Sequence, residues 1–257
     1  MAPHERILRI QVISTLILAV DAGNSRVKWA LHDGREFVRD GWAANGNLKA
    51  LDAQWAALLP PASIMIANVA GNQVGEKLSE FCKRWRIVPR WPQSVRSQAG
   101  VVNRYEEPSQ LGVDRWAALI GARAFCTGPC LVVNAGTAMT IDAMLAQGEF
   151  IGGIIMPGFG LMHEMLAVKA AQLSAAQGKF QPFPQTTRDA ITSGAVQALC
   201  GAVDRMRSAM LGAGHTEPEL ILTGGAGETI ARHIGRPVRI VEKLVLEGLV
   251  RMSKESQ

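Results

Sequence analysis

The chain has 257 residues, with 27 Lys plus Arg against 22 Asp plus Glu, a formal net charge of +5. Apolar residues make up 48% and charged residues 19%, which excludes a disordered chain, and at ~100–200 residues per domain the length suits one large domain or two modest ones. Four cysteines (Cys82, Cys126, Cys130, Cys200) without a CxxC pair exclude a disulfide-stapled scaffold and a zinc ribbon, while the positive balance leaves nucleic acid open.

Residues 1–15 read as an extension. The run Leu16-Ile17-Leu18-Ala19-Val20 is stopped by Asp21, far short of the ~20 apolar residues a spanning helix needs. It enters Asp21-Ala22-Gly23-Asn24 with no cleavage site, which argues against a secretory signal and for a buried strand. A soluble, cytoplasmic chain is the expectation, consistent with unpaired thiols. A second strand follows at 27–31. Residues 48–59 read as a helix ended by Pro60-Pro61, 63–69 as a buried strand, and 74–86 as an amphipathic helix with Val74, Leu78, Phe81, Cys82 and Trp85 on one face. Ile87-Val88 begins another short strand. Helices are expected at 113–125, 161–176 and 190–211, strands at 131–133 and 220–222, and a last helix from about Glu228. Met139, Met144, Met156, Met162 and Met165 read as core filler, His163 as a polar-face histidine, and 251–257 as a solvated end. The alternation of strands and helices argues an α/β fold.

One segment repeats. Leu18-Ala19-Val20-Asp21-Ala22-Gly23-Asn24-Ser25 resembles Leu131-Val132-Val133-Asn134-Ala135-Gly136-Thr137-Ala138, 134 − 21 = 113 residues later. Each is an apolar strand ending in Asp or Asn, then Ala-Gly, then small residues including a hydroxyl. Two such units half a chain apart favour duplication over coincidence. A glycine after a strand lets backbone N–H groups approach an anion. Asn24, Ser25 and Thr137 can bond phosphate oxygens. Asp21 is placed to hold Mg²⁺ directly or through water, and Lys28 can neutralise phosphate charge. There is no GxxxxGK[ST] and no GxGxxG, so neither a P-loop nor a dinucleotide fingerprint is present.

Gly112-Val113-Asp114-Arg115 opens the helix at 113. Two readings stand side by side: an acid that complements the helix dipole, or a general base beside a cation able to grip a carboxylate or phosphate. Tyr105, the single tyrosine, either caps a core or shapes a pocket. Gly152 to Gly160 is a Gly-rich strand and turn. Thr223-Gly224-Gly225-Ala226 either carries an adenine ring or is only a tight turn.

Taken together, these motifs resemble type III pantothenate kinases, members of the acetate and sugar kinase/Hsp70/actin superfamily. The family's D-x-G-N-[TS]-x-x-K stands as Asp21-Ala22-Gly23-Asn24-Ser25-Arg26-Val27-Lys28. Its G-x-D-R stands as Gly112-Val113-Asp114-Arg115, and its D-x-G-T-A as Asn134-Ala135-Gly136-Thr137-Ala138. The Gly-Gly-x-Ile-x-Pro-Gly segment is 152–158, T-x-x-A-I-x-x-G is 187–194, T-G-G-x is 223–226, and L-x-L-x-G-L is 244–249. The resemblance implies two actin-like (ribonuclease H-like) domains, 16–120 and 121–257, with a cleft between them. It implies transfer of the γ-phosphoryl of ATP to the 4′-hydroxyl of pantothenate, the first step of coenzyme A synthesis, with Asp114 as general base. Tyr105, Gly112, Val113, Asp114, Arg115 and Thr187 match substrate positions. Asp21 to Lys28, Thr137, Gly224 and Gly225 match ATP positions. Mg²⁺, a monovalent cation (K⁺ or NH₄⁺) and a homodimer are implied, with no nucleic acid and no membrane. Asn134 stands where the family usually has Asp, so the monovalent site loses a full charge. The alternative is a non-catalytic transcriptional accessory protein of the same fold; intact Asp21 and Asp114 favour the enzyme. The cations punctuate the motifs (Arg26, Lys28, Arg115), and Lys83, Arg84, Arg86, Arg90 and Arg96 read as a solvated face.

Overall fold

A computed structural model describes residues 15–169 and 178–255. Its described residues form two compact units. The first comprises 15–100, 106–121 and 244–255, the second 101–105, 122–169 and 178–243. The first 14 residues of the expected extension, and the end of the helix expected at 161–176, lie outside the described residues.

The first unit is built on strands β1 (Ile17–Ala22), β2 (Arg26–His32), β3 (Phe37–Ala44) and β4 (Ser63–Asn68), in the order β3-β2-β1-β4. β1 pairs antiparallel with β2 and parallel with β4. Every residue of β1 except Asp21 is buried, which is why that strand reads as an unbroken apolar run rather than an alternating one. Helix α1 (Leu48–Ala56) buries Leu48, Leu51 and Trp55. It ends short of the expected residue 59, well before Pro60-Pro61, since a proline biases the residue before it away from helical angles. Helix α2 (Asn72–Cys82) continues as one tight turn over Lys83–Trp85. Trp55 sits against Phe81 and Trp85 at ring separations of 6.4 and 5.8 Å. The strand expected at Ile87-Val88 does not form. Val88 is exposed, Pro89 has no N–H to give to a ladder, and only Arg90 bridges to Met65. A short strand β5 (Ser97–Gln98) follows.

Helix α3 (Val113–Ala122) carries Asp114 in its first turn. The C-terminal helix is numbered after those of the second unit, as α7 (Leu244–Glu255); it packs on β1, β4 and β2. The end expected to be solvated at 251–257 is instead partly core: Met252 and Ser253 are fully buried, and Ser253 Oγ accepts from Arg90 Nη2 at 2.8 Å. Of the cations read as a solvated face, Lys83, Arg84, Arg86 and Arg96 are exposed, and two of these also make bonds. Arg84 pairs with Asp52, and Arg96 donates to the Glu106 carbonyl at 3.0 Å.

The second unit repeats the topology of the first. Its strands are β6 (Val101–Asn103), β7 (Cys130–Ala135), β8 (Ala138–Met144), β9 (Glu149–Pro157), β10 (Glu219–Thr223) and β11 (Arg239–Ile240). The order β9-β8-β7-β10 mirrors β3-β2-β1-β4, and β7 pairs antiparallel with β8 and parallel with β10. Shared strand order and polarity give the 113-residue repeat its structural meaning. The helices are α4 (Phe159–Lys169), α5 (Thr187–Gly212) and α6 (Gly227–Ala231). Thr186 caps α5 by accepting from Asp189 N–H at 3.2 Å, a strong helix start. Val196, Leu199 and Val203 of α5 meet Leu131, Val133, Ile141 and Leu222 in the core. Met139 and Met144 are core residues, whereas Met165 is 50% exposed and not core filler. His163 is buried rather than on a polar face, its ring 4.8 Å from that of Phe159. The compact units differ from the expected continuous halves in two respects: residues 101–105 belong to the second unit, and the chain returns to the first unit after Lys243.

Candidate active site

In the first unit, Asp21 closes β1 and stands opposite Lys28 of β2 in the antiparallel register. The turn between the strands is three residues, Gly23, Asn24 and Ser25. Gly23 N–H bonds back to the Arg26 carbonyl at 3.2 Å. Asn24, Ser25 and Arg26 are exposed there, while Ala22 and Val27 are core residues, so the last two can offer a phosphate only their backbone. Arg26 lies over the Trp42 ring at 4.9 Å. Asn45 clamps the turn. Its Nδ2 donates to the carbonyls of Gly23 and Asn24, each at 2.9 Å, and its N–H donates to the Ser25 carbonyl at 3.1 Å. No motif marks Asn45, because it lies some twenty residues on, beyond β3.

Asp114 comes to the same place from α3. Burial pushes the Asp21 carboxyl up to about 7, helped by the Asp114 charge and opposed by Lys28. Burial also raises Asp114, opposed by the backbone N–H and charge of Arg115. Two carboxylates that feel each other across a partly buried site cannot both ionise cheaply. Arg115 itself is buried. Gly112 leaves room for this arrangement: a Cβ there would stand 2.6 Å from Asp114 Oδ1. On the far side of α3, a Cβ at Gly248 of α7 would overlap the carbonyl oxygen of Ala117. The glycine of the Leu244–Leu249 motif therefore seats the helix that carries Asp114.

The second unit gathers the other loops. Between β7 and β8 the turn is only Gly136-Thr137. Gly158 N–H bonds to the Thr137 carbonyl at 2.9 Å, and Ala226 N–H to the Ala135 carbonyl at 3.0 Å. Gly224 takes φ +95°, and a Cβ there would lie 2.6 Å from the Ala135 carbonyl. Only glycine meets both demands. Thr137, Gly224 and Gly225 thus belong to loops joined at the carboxyl ends of β7 and β10. Asn134, the last but one residue of β7, pairs with Thr140. Tyr105 packs on Phe150 at 5.3 Å between rings, and Thr187 is exposed in the first turn of α5. Gly112, Val113, Asp114 and Arg115 are residues of the first unit, Tyr105 and Thr187 of the second.

A divalent cation suits the first unit on chemical grounds. The mutual repulsion and burial that raise Asp21 are what a positive charge would relieve. Among the described residues no group of three or more His, Cys, Asp or Glu could hold a metal. Mg²⁺ takes one or two carboxylates and leaves its other positions to phosphate and water, so Asp21 is the residue that would hold it.

Known structures place the fold first. A Campylobacter jejuni protein described as a Baf family transcriptional activator superposes with a TM-score of 0.60 at 22% identity, covering 93% of this chain and 98% of that one. The activator of 2-hydroxyisocaproyl-CoA dehydratase from Clostridium difficile, solved with bound ADPNP, superposes with a TM-score of 0.53 at 10% identity, covering 92% of each chain. The fold is that of the actin-like kinases and ATPases. Sequence comparison is more specific. The type III pantothenate kinase family matches residues 17–209. A protein of that name from Nitrosospira multiformis is 44% identical over 244 residues, 95% of this chain and 93% of that one. The chain belongs to the type III pantothenate kinase family, and is a phosphotransferase.

Proposed function

We propose that this enzyme transfers the γ-phosphoryl of ATP to the 4′-hydroxyl of pantothenate, with Asp114 as the general base. The observation that carries the assignment is the Asp21–Asp114 pair in a partly buried site. ATP and a divalent metal serve the reaction, as membership of a kinase family implies. The metal, bound beside Asp21, supplies charge neutralisation for the phosphates. Asp21 kept ionised by such a charge leaves Asp114 to accept the hydroxyl proton. A base raised toward neutrality is better matched to that task than an ordinary carboxylate. Phosphoryl transfer otherwise asks for alignment and charge stabilisation. Gly23 to Lys28 and Thr137 would hold the phosphates, Gly224 and Gly225 the adenosine. Tyr105, Gly112, Val113, Arg115 and Thr187 would hold pantothenate, with the Arg115 guanidinium against its carboxylate.

Asn134 would contribute its carbonyl oxygen to a K⁺ or NH₄⁺ site weaker than one built on Asp. A homodimer is the expected assembly, supported by apolar side chains exposed on β9 (Ile151, Ile154, Ile155) and α4 (Met165, Leu166, Val168). Among the described residues no helix is long and apolar enough to cross a membrane. A cytoplasmic enzyme working without a membrane or nucleic-acid partner is part of this proposal, supported by the metabolic reaction that its relatives are named for. The regulatory alternative is not favoured, since nothing in a binding role requires two carboxylates held at this cost.

The test is pantothenate-dependent release of ADP by the purified protein. Asp114→Asn is expected to lower kcat by at least 10³-fold with the melting temperature kept or raised. Undiminished turnover in that variant would sink the base assignment, and turnover stimulated by a sugar but not by pantothenate would sink the substrate.

A further inference from the structure

A second concave site lies in the second unit, at the end of β10 remote from Gly224. It is a pocket of about 490 Å³ whose lining includes Arg207, Glu217, Pro218, Arg236, Val238 and Arg239. That volume falls in the range of ~300–1,000 Å³ typical of small-molecule sites. Its three guanidiniums come from α5, from the segment before β11, and from β11 itself. They are unequally satisfied. Arg207 is held by the Glu217 carboxylate in a two-pronged pair. Arg236 reaches Glu217 only at 3.6 Å and Asp204 at 3.2 Å. Its Nε is buried without a hydrogen-bond partner, as is Asp204 Oδ1. Arg239 is exposed and has no acidic partner among the described residues. The remaining lining acid, Glu219, accepts from Cys126 Sγ at 3.3 Å.

The terminal nitrogens of Arg236 are held only loosely by their two acids and its side chain is about a third exposed, so a stronger, doubly charged acceptor can compete for them. A neighbouring free guanidinium on the same wall adds a second fork. Planar, forked donors of this kind suit phosphate oxygens, and the apolar part of the wall, Pro218 and Val238, suits the carbon skeleton of the same ligand. We propose that this pocket binds a small phosphate monoester through Arg236 and Arg239, as a site separate from the phosphate turns. The two places are distinct on the fold: β10 has five residues, so its ends lie roughly 15 Å apart at ~3.3 Å per residue.

The experiment is calorimetric titration of the full chain with ribose 5-phosphate, with a non-hydrolysable ATP analogue and pantothenate already saturating. One additional site per chain is expected, and ribose, which lacks the phosphate, is expected not to bind. Arg236→Gln with Arg239→Gln should weaken ribose 5-phosphate at least tenfold and leave the affinity for the ATP analogue unchanged. Arg239→Gln alone, at an exposed and unpaired position, should weaken it at least threefold without risk to folding. Absence of a second site, equal binding of ribose, or equal binding by both variants would overturn the proposal. Loss of kinase turnover would leave it standing, because the titration does not depend on catalysis.

Discussion

Replacing Asp21 by Asn should make the ligand-free protein more stable while disabling it. In the folded chain the Asp21 carboxyl titrates near 7, against 3.8 for an unhindered aspartate. The native state therefore holds a proton that the unfolded chain has already released. The stability associated with that proton is complete below pH ~4, falls as pH rises, and is lost by about pH 7. A shift of about three units at ~1.4 kcal/mol each sets an upper limit of roughly 4 kcal/mol. The side chain is partly exposed, and solvent relaxation reduces this, so ~1–3 kcal/mol is the expected gain for Asp21→Asn at pH 8. For a chain of this size that is a rise of about 2–10 °C in melting temperature. Thermal unfolding without nucleotide or metal, at steps from pH 3.5 to 8.5, reads it directly. The difference between variant and wild type should be near zero at the acid end, grow between pH 4 and 7, and then level off. Kinase turnover should fall by at least 10²-fold in the same variant. A variant less stable than wild type at pH 8, or a difference that does not change with pH, would refute the reasoning.

Gly112→Ala places a methyl group against Asp114 Oδ1; turning the carboxylate aside should lower kcat on the order of 10²-fold with little change in melting temperature. Asn45→Ala removes the bonds to the Gly23 and Asn24 carbonyls, which should cost ~1–3 kcal/mol in denaturant unfolding and raise KM for ATP more than KM for pantothenate. Gly248→Ala forces α7 away from Ala117; a loss of about 2–4 kcal/mol is expected, visible as a lowered urea midpoint, with turnover per folded molecule falling because α3 moves with it.

Much of this was readable in one dimension, for local reasons. β1 and β7 stand out because a strand buried on both faces is apolar throughout, and the turns stand out because a backbone that meets an anion needs glycine. The failures are equally physical. Ile87-Val88 had strand-like side chains, but Pro89 interrupts the ladder and only Arg90 bridges to Met65 of β4. Residues 251–257 read as a solvated end, yet helical periodicity turns Met252 and Ser253 inward while Lys254 and Glu255 face out. Asn45 gave no signal, since an amide that clamps a distant turn is indistinguishable by sequence from one in solvent.

The sequence by itself determined the fold class, the duplicated strand–turn–strand unit, the family and the motif residues, all of which rest on side-chain pattern and short spacing. Only the tertiary structure decided that Asp21 and Asp114, 93 residues apart, share one environment, in which the Asp114 charge helps raise the Asp21 carboxyl. It also decided that the C-terminal helix belongs with the first unit, and that Arg236 meets Arg207 and Arg239 on one pocket wall. Those outcomes depend on which surfaces are withdrawn from water together. A carboxylate's charge state and the company a guanidinium keeps are set by that shared packing, not by chain neighbours.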